Sequence, residues 1–217
     1  MIELPQKIVC VGMNYHDHAE EQGIEPPPYP ILFAKWPNTI IGDGDAIRLP
    51  ANSTQIDYEA ELGFVIGRVA RDVRADDALE FVRGYVAAND VSCRDVQFAD
   101  RQWVRGKSFD TFLPVGELMP AEAVADPHAL RITTRLNGTV MQDSNTSNLI
   151  FDIPQIIEFV TQNITLVPGD LVLTGTPAGV GAFRTPPVWL RPGDEVTIEV
   201  EQVGSVRSVV HPPHGGP

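Results

Sequence analysis

Between Ile56 and Ile66 the chain alternates apolar and polar residues, a pattern that predicts a β-strand. Successive side chains of a strand point to opposite faces, so one face is apolar and the other acidic. The apolar residues are Tyr58, Ala60, Leu62, Phe64 and Ile66, and the acidic ones are Asp57, Glu59 and Glu61. Two interpretations follow: the acids form a solvated face, or Glu59 and Glu61 share a cation.

A second strand is predicted over 84–90, where an apolar run closes on Asn89-Asp90. A carboxylate at a strand end reaches the face of a neighbouring strand, so Asp90 becomes a third acid beside Glu59 and Glu61. Carboxylates suit Mg²⁺ or Mn²⁺, whereas Zn²⁺ prefers His and Cys, and no such pair in the sequence has zinc spacing.

Short elements surround these strands. A strand is predicted over Ile8–Gly12, followed by a helix over 15–22 with Asn14 as its N-cap and Gly23 at its end. The segment 24–38 is rich in proline and is predicted to be extended or loop.

The middle of the chain is expected to hold further helices and one long loop. Helices are predicted over 76–83 and after Pro154, which suits a first helical turn. The polar connection 99–112 exceeds the usual loop length and is predicted to be functional. Asn137-Gly138 predicts a hairpin.

Turn signals fill the C-terminal third. Pro-Gly turns are predicted within 166–170 and 190–194. The glycine-rich segment 174–181 is either a plain turn or a loop that directs backbone N–H groups at an anion. The tail 211–217 is expected to fray.

Composition bounds the class of protein. With 217 residues, 43% apolar and 21% charged, the chain is expected to be one globular domain spanning 1–217. A net charge of −13 argues against nucleic acid or an anionic membrane as partner. Cys10 and Cys93 are expected to be unpaired, and the sequence shows neither a secretion signal nor a membrane span, so a cytoplasmic protein is predicted.

Five motifs then occur in an order that is specific as a set. They are Val11-Gly12-Met13-Asn14-Tyr15 with Asp17-His18, Asp57-Tyr58-Glu59-Ala60-Glu61-Leu62, Asn89-Asp90 with Arg94-Asp95-Val96-Gln97, Gly106-Lys107-Ser108-Phe109, and Leu173-Thr174-Gly175-Thr176-Pro177-Ala178-Gly179-Val180-Gly181. With them the chain, from about residue 7 to residue 210, resembles the short form of the fumarylacetoacetate hydrolase family.

The resemblance implies a mainly β fold with a few short helices, a mixed β-sandwich roll of the type of that family's C-terminal domain. It also implies a homodimer that binds one Mg²⁺ or Mn²⁺ per chain through Glu59, Glu61 and Asp90. Similar proteins act on small anionic 2-oxo acids. Their activities include hydrolysis of acylpyruvates, tautomerisation or decarboxylation of oxaloacetate, and isomerisation of hydroxymuconate-type diacids.

Comparison with other members of the family bears on the substrate and on the N-terminal segment. Many relatives that cleave acylpyruvates have Arg where this chain has Met13. The stretch 189–194 is closer to isomerase-like members. Longer bacterial relatives carry an extra N-terminal segment, from which nothing is carried over.

An anionic substrate beside three carboxylates requires compensating cations. Lys107 is the first candidate, with a solvated loop lysine as the alternative, and Arg105 is the second. Gln97 is expected to orient substrate or water, and Thr176 with the backbone N–H of Gly175 to hold a substrate carboxylate.

His18 and Glu21 are three residues apart on the predicted helix and share a face, so Glu21 can orient the imidazole as a general base. The family resemblance assigns such a pair to activating water in its hydrolases. A surface histidine beside acids is the alternative, and His16 lies on another face.

The first functional prediction is hydrolysis of a C–C bond in an acylpyruvate, in a pathway such as aromatic catabolism. The alternative is an isomerase, tautomerase or decarboxylase of small 2-oxo diacids. A non-catalytic β-rich binding module remains the more distant alternative.

Overall fold

The computed structural model describes residues 3–213, and these form a mainly β fold with short helices. The strands are β1 Ile8–Gly12, β2 Ile31–Lys35, β3 Ile40–Ile41, β4 Ala46–Arg48, β5 Ile56–Asp57, β6 Ala60–Ile66, β7 Val82–Asn89, β8 Ser92–Cys93, β9 Leu113–Pro114, β10 Met119–Pro120, β11 Arg131–Leu136, β12 Thr139–Asn145, β13 Leu171–Leu173, β14 Glu195–Val200 and β15 Gly204–His211. The α-helices are α1 His16–Gln22, α2 Arg94–Asp100, α3 Trp103–Lys107 and α4 Ile153–Thr161. Short 3₁₀ helices are Pro37–Thr39, Ala75–Phe81, Ala121–Ala123, Thr146–Asn148 and Gly181–Phe183. The predicted fold class is confirmed.

Two sheets carry the core. The larger has the strand order β10-β7-β6-β13-β1-β2, and the smaller has the order β12-β11-β14-β15-β4. Strands β6 and β7 pack against β11, β14 and β15, and their apolar side chains merge there into one core that includes Phe64, Ile132 and Ile198. A second apolar cluster, with Val65, Val86 and other residues, covers the opposite face of the larger sheet.

The two-sided cover explains why β6 differs from its prediction. The predicted strand 56–66 is broken at Tyr58 and Glu59: β5 pairs with β8, whereas β6 pairs with β7 and β13. Every residue of β6 is buried, including Glu61. The interpretation as a solvated face is therefore wrong, because both faces of this central strand lie against other parts of the protein.

The start of α1 differs from its prediction, whereas its end does not. Tyr15, not Asn14, is the N-cap, while Gly23 ends the helix in the left-handed conformation as predicted. The side-chain amide of Asn14 donates instead to the backbone oxygens of Phe151, at 3.0 Å, and Thr174, at 2.8 Å. Asn14 thus joins three distant segments rather than capping one.

Two further segments differ from their predictions, and a third agrees. The predicted helix 76–83 is a 3₁₀ helix that gives way to β7 at Val82. The predicted loop 99–112 contains the end of α2 and all of α3. The Pro-rich segment 24–38, predicted to be extended or loop, is as predicted, because its regular part is the extended strand β2.

Other predictions hold. The hairpin β11–β12 turns at Asn137-Gly138, and α4 begins with Pro154 in its first turn and an Asp152 capping box. The predicted fraying is wrong at His211, which ends β15 opposite Arg48, and residues 214–217 lie outside the described residues. No helix among the described residues is long and apolar enough to cross a membrane.

Candidate active site

The acid cluster forms where β6 begins and β7 ends. Antiparallel pairing places Ala60 opposite Asn89, so Glu59 and Glu61 flank the position that Asp90 follows. One carboxylate oxygen from each of the three acids lies within 4.8 Å of the others, and all three residues are buried. The cluster that the alternating pattern predicted is therefore assembled.

Three buried cations surround this cluster. The Nζ of Lys107 lies 2.5 Å from Oε2 of Glu59 and 2.7 Å from Oδ2 of Asp90. Lys35 reaches the other side of Asp90, with Nζ 2.7 Å from Oδ1. Arg94 pairs with Oε1 of Glu59, also at 2.7 Å. Both oxygens of Glu59 and of Asp90 are thus held.

A fourth acid, Asp57, extends this network to a loop. Its Oδ2 lies 2.7 Å from the guanidinium of Arg94. Its Oδ1 accepts a hydrogen bond from the backbone of Gly181 at 2.7 Å, and Oδ2 accepts one from Ala182 at 3.0 Å. Asp57 therefore connects the short helix Gly181–Phe183 to Arg94 and, through Arg94, to Glu59.

Glu61 has no ion-pair partner anywhere in the described range 3–213; its hydrogen bond comes from the backbone N–H of Gly175 at 2.7 Å. Burial raises the pKa of its carboxyl well above the usual value, and the negative charges of Asp90 and Glu59 raise it further. The pKa of the Glu59 carboxyl is raised by burial but lowered more strongly by Lys107 and Arg94, and ends below its usual value.

This contrast between the two glutamates fits a divalent cation. Four buried carboxylates, those of Asp57, Glu59, Glu61 and Asp90, face the three buried cations Lys35, Arg94 and Lys107. One negative charge is left over, and a buried charge without a partner is costly. Clustered carboxylate oxygens are the donors that hard divalent ions prefer, so the residues present can hold a metal ion.

His18 lies on α1 and lines the same cavity as Glu59 and Glu61. Its Nδ1 lies 3.1 Å from Oε2 of Glu21, as the three-residue spacing predicted. The ring is buried and packs edge-on against Phe183, with 5.9 Å between centroids. The interpretation of His18 as a surface residue is wrong.

The remaining predicted site residues divide into two groups. Lys107, Gln97 and Thr176 line the cavity, although Lys107 ends a helix and is not in a loop. The side chain of Arg105 is 56% exposed and pairs with Asp100. Its predicted substrate-binding role is not supported by this placement.

Gly175 also differs from its predicted role. Its backbone N–H is used by Glu61 and is not directed at a substrate. Its φ of +100° and the backbone of Val11, only 3.0 Å from where a Cβ would lie, require glycine there.

Sequence reasoning missed the roles of Lys35, Arg94 and Asp57. Asp57 and Arg94 stand within the recognised motifs, but nothing in their spacing shows that they pair. Lys35 ends β2, 55 residues before Asp90, and its only signal is a lysine closing an apolar run.

The fold and the site together define a class of protein: a β-sandwich roll with a buried carboxylate cluster that can hold a metal ion beside a histidine–glutamate pair. The fumarylacetoacetate (FAA) hydrolase C-terminal family matches this chain over residues 7–211. The chain belongs to the fumarylacetoacetate hydrolase family.

Relatives within the family carry different activities in their names. The chain is 49% identical over 205 residues to the mitochondrial oxaloacetate tautomerase FAHD2A of Bos taurus, covering 93% of this chain and 65% of that protein. The chain thus spans less than two thirds of the length of this curated relative.

Two solved structures are similar. The 2-hydroxyhepta-2,4-diene-1,7-dioate isomerase of Mycobacterium marinum is 41% identical, with a TM-score of 0.87 over 98% of this chain and 77% of that one. The fumarylpyruvate hydrolase of Pseudomonas aeruginosa, in complex with Mn²⁺ and pyruvate, is 30% identical, with a TM-score of 0.88 over 95% of this chain and 90% of that one.

Proposed function

We propose that this protein is a divalent-cation-dependent isomerase or tautomerase of small 2-oxo diacids, such as an enzyme that converts enol-oxaloacetate to its keto form. The observation that supports the proposal is that the imidazole of His18 lines one cavity with Glu59 and Glu61, two members of the carboxylate cluster that could hold an ion. Similarity to the bovine tautomerase and the mycobacterial isomerase favours proton transfer over the hydrolysis that the sequence first suggested.

Glu59, Glu61 and Asp90 are the residues that would hold the ion, and their oxygen donors favour Mg²⁺ or Mn²⁺. When bound, such an ion polarises a 2-oxo group and stabilises negative charge that develops on it. Lys107, whose pKa is lowered by burial but raised more strongly by Asp90 and Glu59, stays charged. It offsets the charge of these acids when an anionic substrate enters.

His18 is the proposed proton shuttle. A carboxylate only accepts hydrogen bonds, so Glu21 fixes a proton on Nδ1, and the lone pair that takes a proton from the substrate is on Nε2. Gln97 and Thr176 are proposed to hold a substrate carboxylate. The hydroxyl oxygen of Thr176 accepts from Gln142, so its own proton is free to be donated.

The size of the cavity supports a small substrate. Its volume is about 90 Å³, which suits a small diacid better than a bulky acylpyruvate.

Hydrolysis of an acylpyruvate is the second candidate. The same histidine–glutamate pair can deprotonate a water molecule, and the similar P. aeruginosa structure is a fumarylpyruvate hydrolase. Decarboxylation of oxaloacetate is a third, because it needs charge withdrawal but no base.

An absorbance assay distinguishes these candidates. Protein stripped with a chelator and reloaded with Mg²⁺ or Mn²⁺ is mixed with enol-oxaloacetate, an acylpyruvate or a hydroxymuconate-type diacid, and pyruvate release is followed by a coupled enzyme. We expect the enol absorbance to decay faster without pyruvate release. Pyruvate formed from acylpyruvates with no effect on enol decay would establish the hydrolase instead.

Assembly as a homodimer is also proposed. Within the described part of the chain, β2 is paired with β1 alone and forms a sheet edge, and Trp36, just after it, is exposed. An exposed edge strand with an adjacent aromatic residue is a ready surface for a second copy. Light scattering on the eluting protein gives the mass, and a monomer at micromolar concentration would exclude the dimer.

A further inference from the structure

Gln22 is a cavity residue that the proposed chemistry leaves without a role. It is the last residue of α1, one turn after His18. Its side-chain nitrogen lies 2.8 Å from Nε2 of His18 and 3.2 Å from Sδ of Met13. The amide is therefore held directly against the atom that must exchange a proton.

The hydrogen-bond roles at the ring follow from Glu21. Because its carboxylate accepts from Nδ1–H, the neutral ring of His18 has an acceptor at Nε2, and the Gln22 amide donates to it. Nε2 has a single lone pair in the ring plane. Any water that is to be deprotonated by His18 must donate to the same lone pair, and so must stand where the amide of Gln22 stands.

The two candidate reactions differ in what they need at this place. In tautomerisation the enol hydroxyl loses a proton and the neighbouring carbon gains one, so no water is consumed. In hydrolysis a water oxygen bonds to the acyl carbon and gives a proton to Nε2. The C–C bond breaks, and its electron pair stays on the pyruvate fragment, which takes up the proton. Hydrolysis thus requires substrate and water together beside His18.

We propose that Gln22 is a specificity-determining residue, which fills the water position beside His18 so that the cavity admits substrate alone and proton transfer is favoured over hydrolysis. Met13 supports the amide from the other side. An incoming substrate held by its carboxylate displaces the Gln22 amide from the lone pair, but the side chain still occupies the space that a second molecule would need. This inference rests on the proposed tautomerase function.

Two substitutions distinguish the effect of the space that the Gln22 side chain fills from the effect of its hydrogen bond to His18. Gln22→Ala opens the water position, whereas Gln22→Met keeps a side chain of similar length without the donor. Glu20→Ala, an exposed change on the same helix, is the matched control. We expect Gln22→Ala to raise the ratio of acylpyruvate hydrolysis to enol-oxaloacetate tautomerisation by about tenfold, the effect of roughly one hydrogen bond between an admitted water and His18. The other two variants should leave the ratio near the parent value.

A second readout does not depend on activity. Diethyl pyrocarbonate reacts with an accessible neutral imidazole, and mass spectrometry separates His18 from the exposed His16, which serves as an internal reference. We expect faster modification of His18 in Gln22→Ala than in the parent. Equal labelling would show that Gln22 does not cover Nε2, and faster labelling with an unchanged reaction ratio would show that it covers the base without selecting the reaction. Either result overturns the inference.

The assay of the parent keeps this test apart from the proposed function. A parent that hydrolyses acylpyruvates faster than it tautomerises overturns both. A parent that tautomerises, with an unchanged ratio in Gln22→Ala, overturns the role of Gln22 only. A parent with neither activity overturns the proposed function and the selectivity of Gln22, while the labelling still decides whether Gln22 covers His18.

Discussion

The acid cluster and the histidine face one cavity but are held in different ways. Glu59 and Glu61 lie beside or within a central strand with both faces buried, and three cations fix the cluster. His18 lies on a seven-residue helix, which is fastened by Glu21 to Gly179 in a loop and by Asp17 to Ser144 of β12. An ion needs ligands at fixed distances, whereas a base must meet its substrate and then release it.

Asp57 joins these two regions. It holds Arg94 against Glu59 on one side and the helix Gly181–Phe183 on the other, and Phe183 packs on His18. Gly181 is required there because an added Cβ would lie 2.6 Å from Asp57 Oδ1 and closer still to the backbone of Val188. Asp57, which is fixed in the acid cluster, thereby positions the helix Gly181–Phe183 and with it the ring of Phe183 that packs on His18.

Removing a ligand from the rigid region should have the largest effect. We expect Glu61→Gln to weaken Mg²⁺ or Mn²⁺ binding by more than about 100-fold, beyond the loss typical of a residue that only supports a ligand. Stability without the ion should not fall, since the raised pKa already favours the neutral carboxyl of Glu61 and the Gln oxygen can accept the same hydrogen bond from Gly175. Calorimetric titration and thermal unfolding measure both, with exposed Glu122→Gln as control. Unchanged ion binding would exclude Glu61 from the site.

Removing the base from the helix should affect rate but not ion binding. We expect His18→Ala to lower tautomerisation by roughly 10²- to 10⁴-fold, the usual cost of a positioned proton-transfer group, and to spare any decarboxylation. Rate measurements and ion titration on this variant and on His16→Ala test the contrast. A parent-like rate in His18→Ala would require another shuttle.

Breaking the connection between the regions should lower stability. Asp57→Asn leaves the buried guanidinium of Arg94 without one of its two acids, and we expect a loss of about 3–5 kcal/mol in the free energy of unfolding. Asp143→Asn removes a partner of Arg131 in an exposed pair and should change stability little. Denaturant unfolding compares them. Equal losses would show that burial does not distinguish the two pairs.

The difference between the contacts that hold α1 and those that hold β6 should also appear in the rates of amide hydrogen exchange. Amide hydrogens of 15–22 should exchange faster than those of β6 in the free protein, because a short helix held by a few polar contacts opens locally at low cost. Oxalate with Mg²⁺, a mimic of a 2-oxo acid enolate, should slow exchange in 15–22 several-fold. Equal protection with and without ligand would mean that α1 is not a lid.

The smallest effect is expected at Arg105. Its exposed side chain pairs with Asp100 outside the cavity, so Arg105→Ala should leave KM for the substrate within about twofold of the parent. Steady-state kinetics measure this. A large rise in KM would place Arg105 at the substrate, for example through a second copy of the chain.

Local sequence was sufficient for the acids. Alternation placed Glu59 and Glu61 together, the end of an apolar run supplied Asp90, and a three-residue helical spacing paired His18 with Glu21. Each of these relations depends on the repeat of a single element or on neighbouring strands, so the pattern along the chain contains it.

Tertiary packing determined which cationic side chains point toward the acids. An added Cβ at Gly106 would lie 2.8 Å from the backbone of Gln97, so glycine lets α3 lie close against α2. Residues two apart on a helix point in nearly opposite directions, and this contact turns Lys107 inward and Arg105 outward. The prediction of 99–112 as a loop could not show that Lys107 and Arg105 point in opposite directions.

Periodicity within single elements is enough to predict the strands, the common face of Glu59 and Glu61 and the pairing of His18 with Glu21, and the end of the next strand adds Asp90. The burial of both faces of β6, and the contacts of Lys35 and Arg94 with the acids, depend on the folded protein. Burial and ion pairing between distant segments depend on how sheets and helices pack, and no repeat along the chain encodes that.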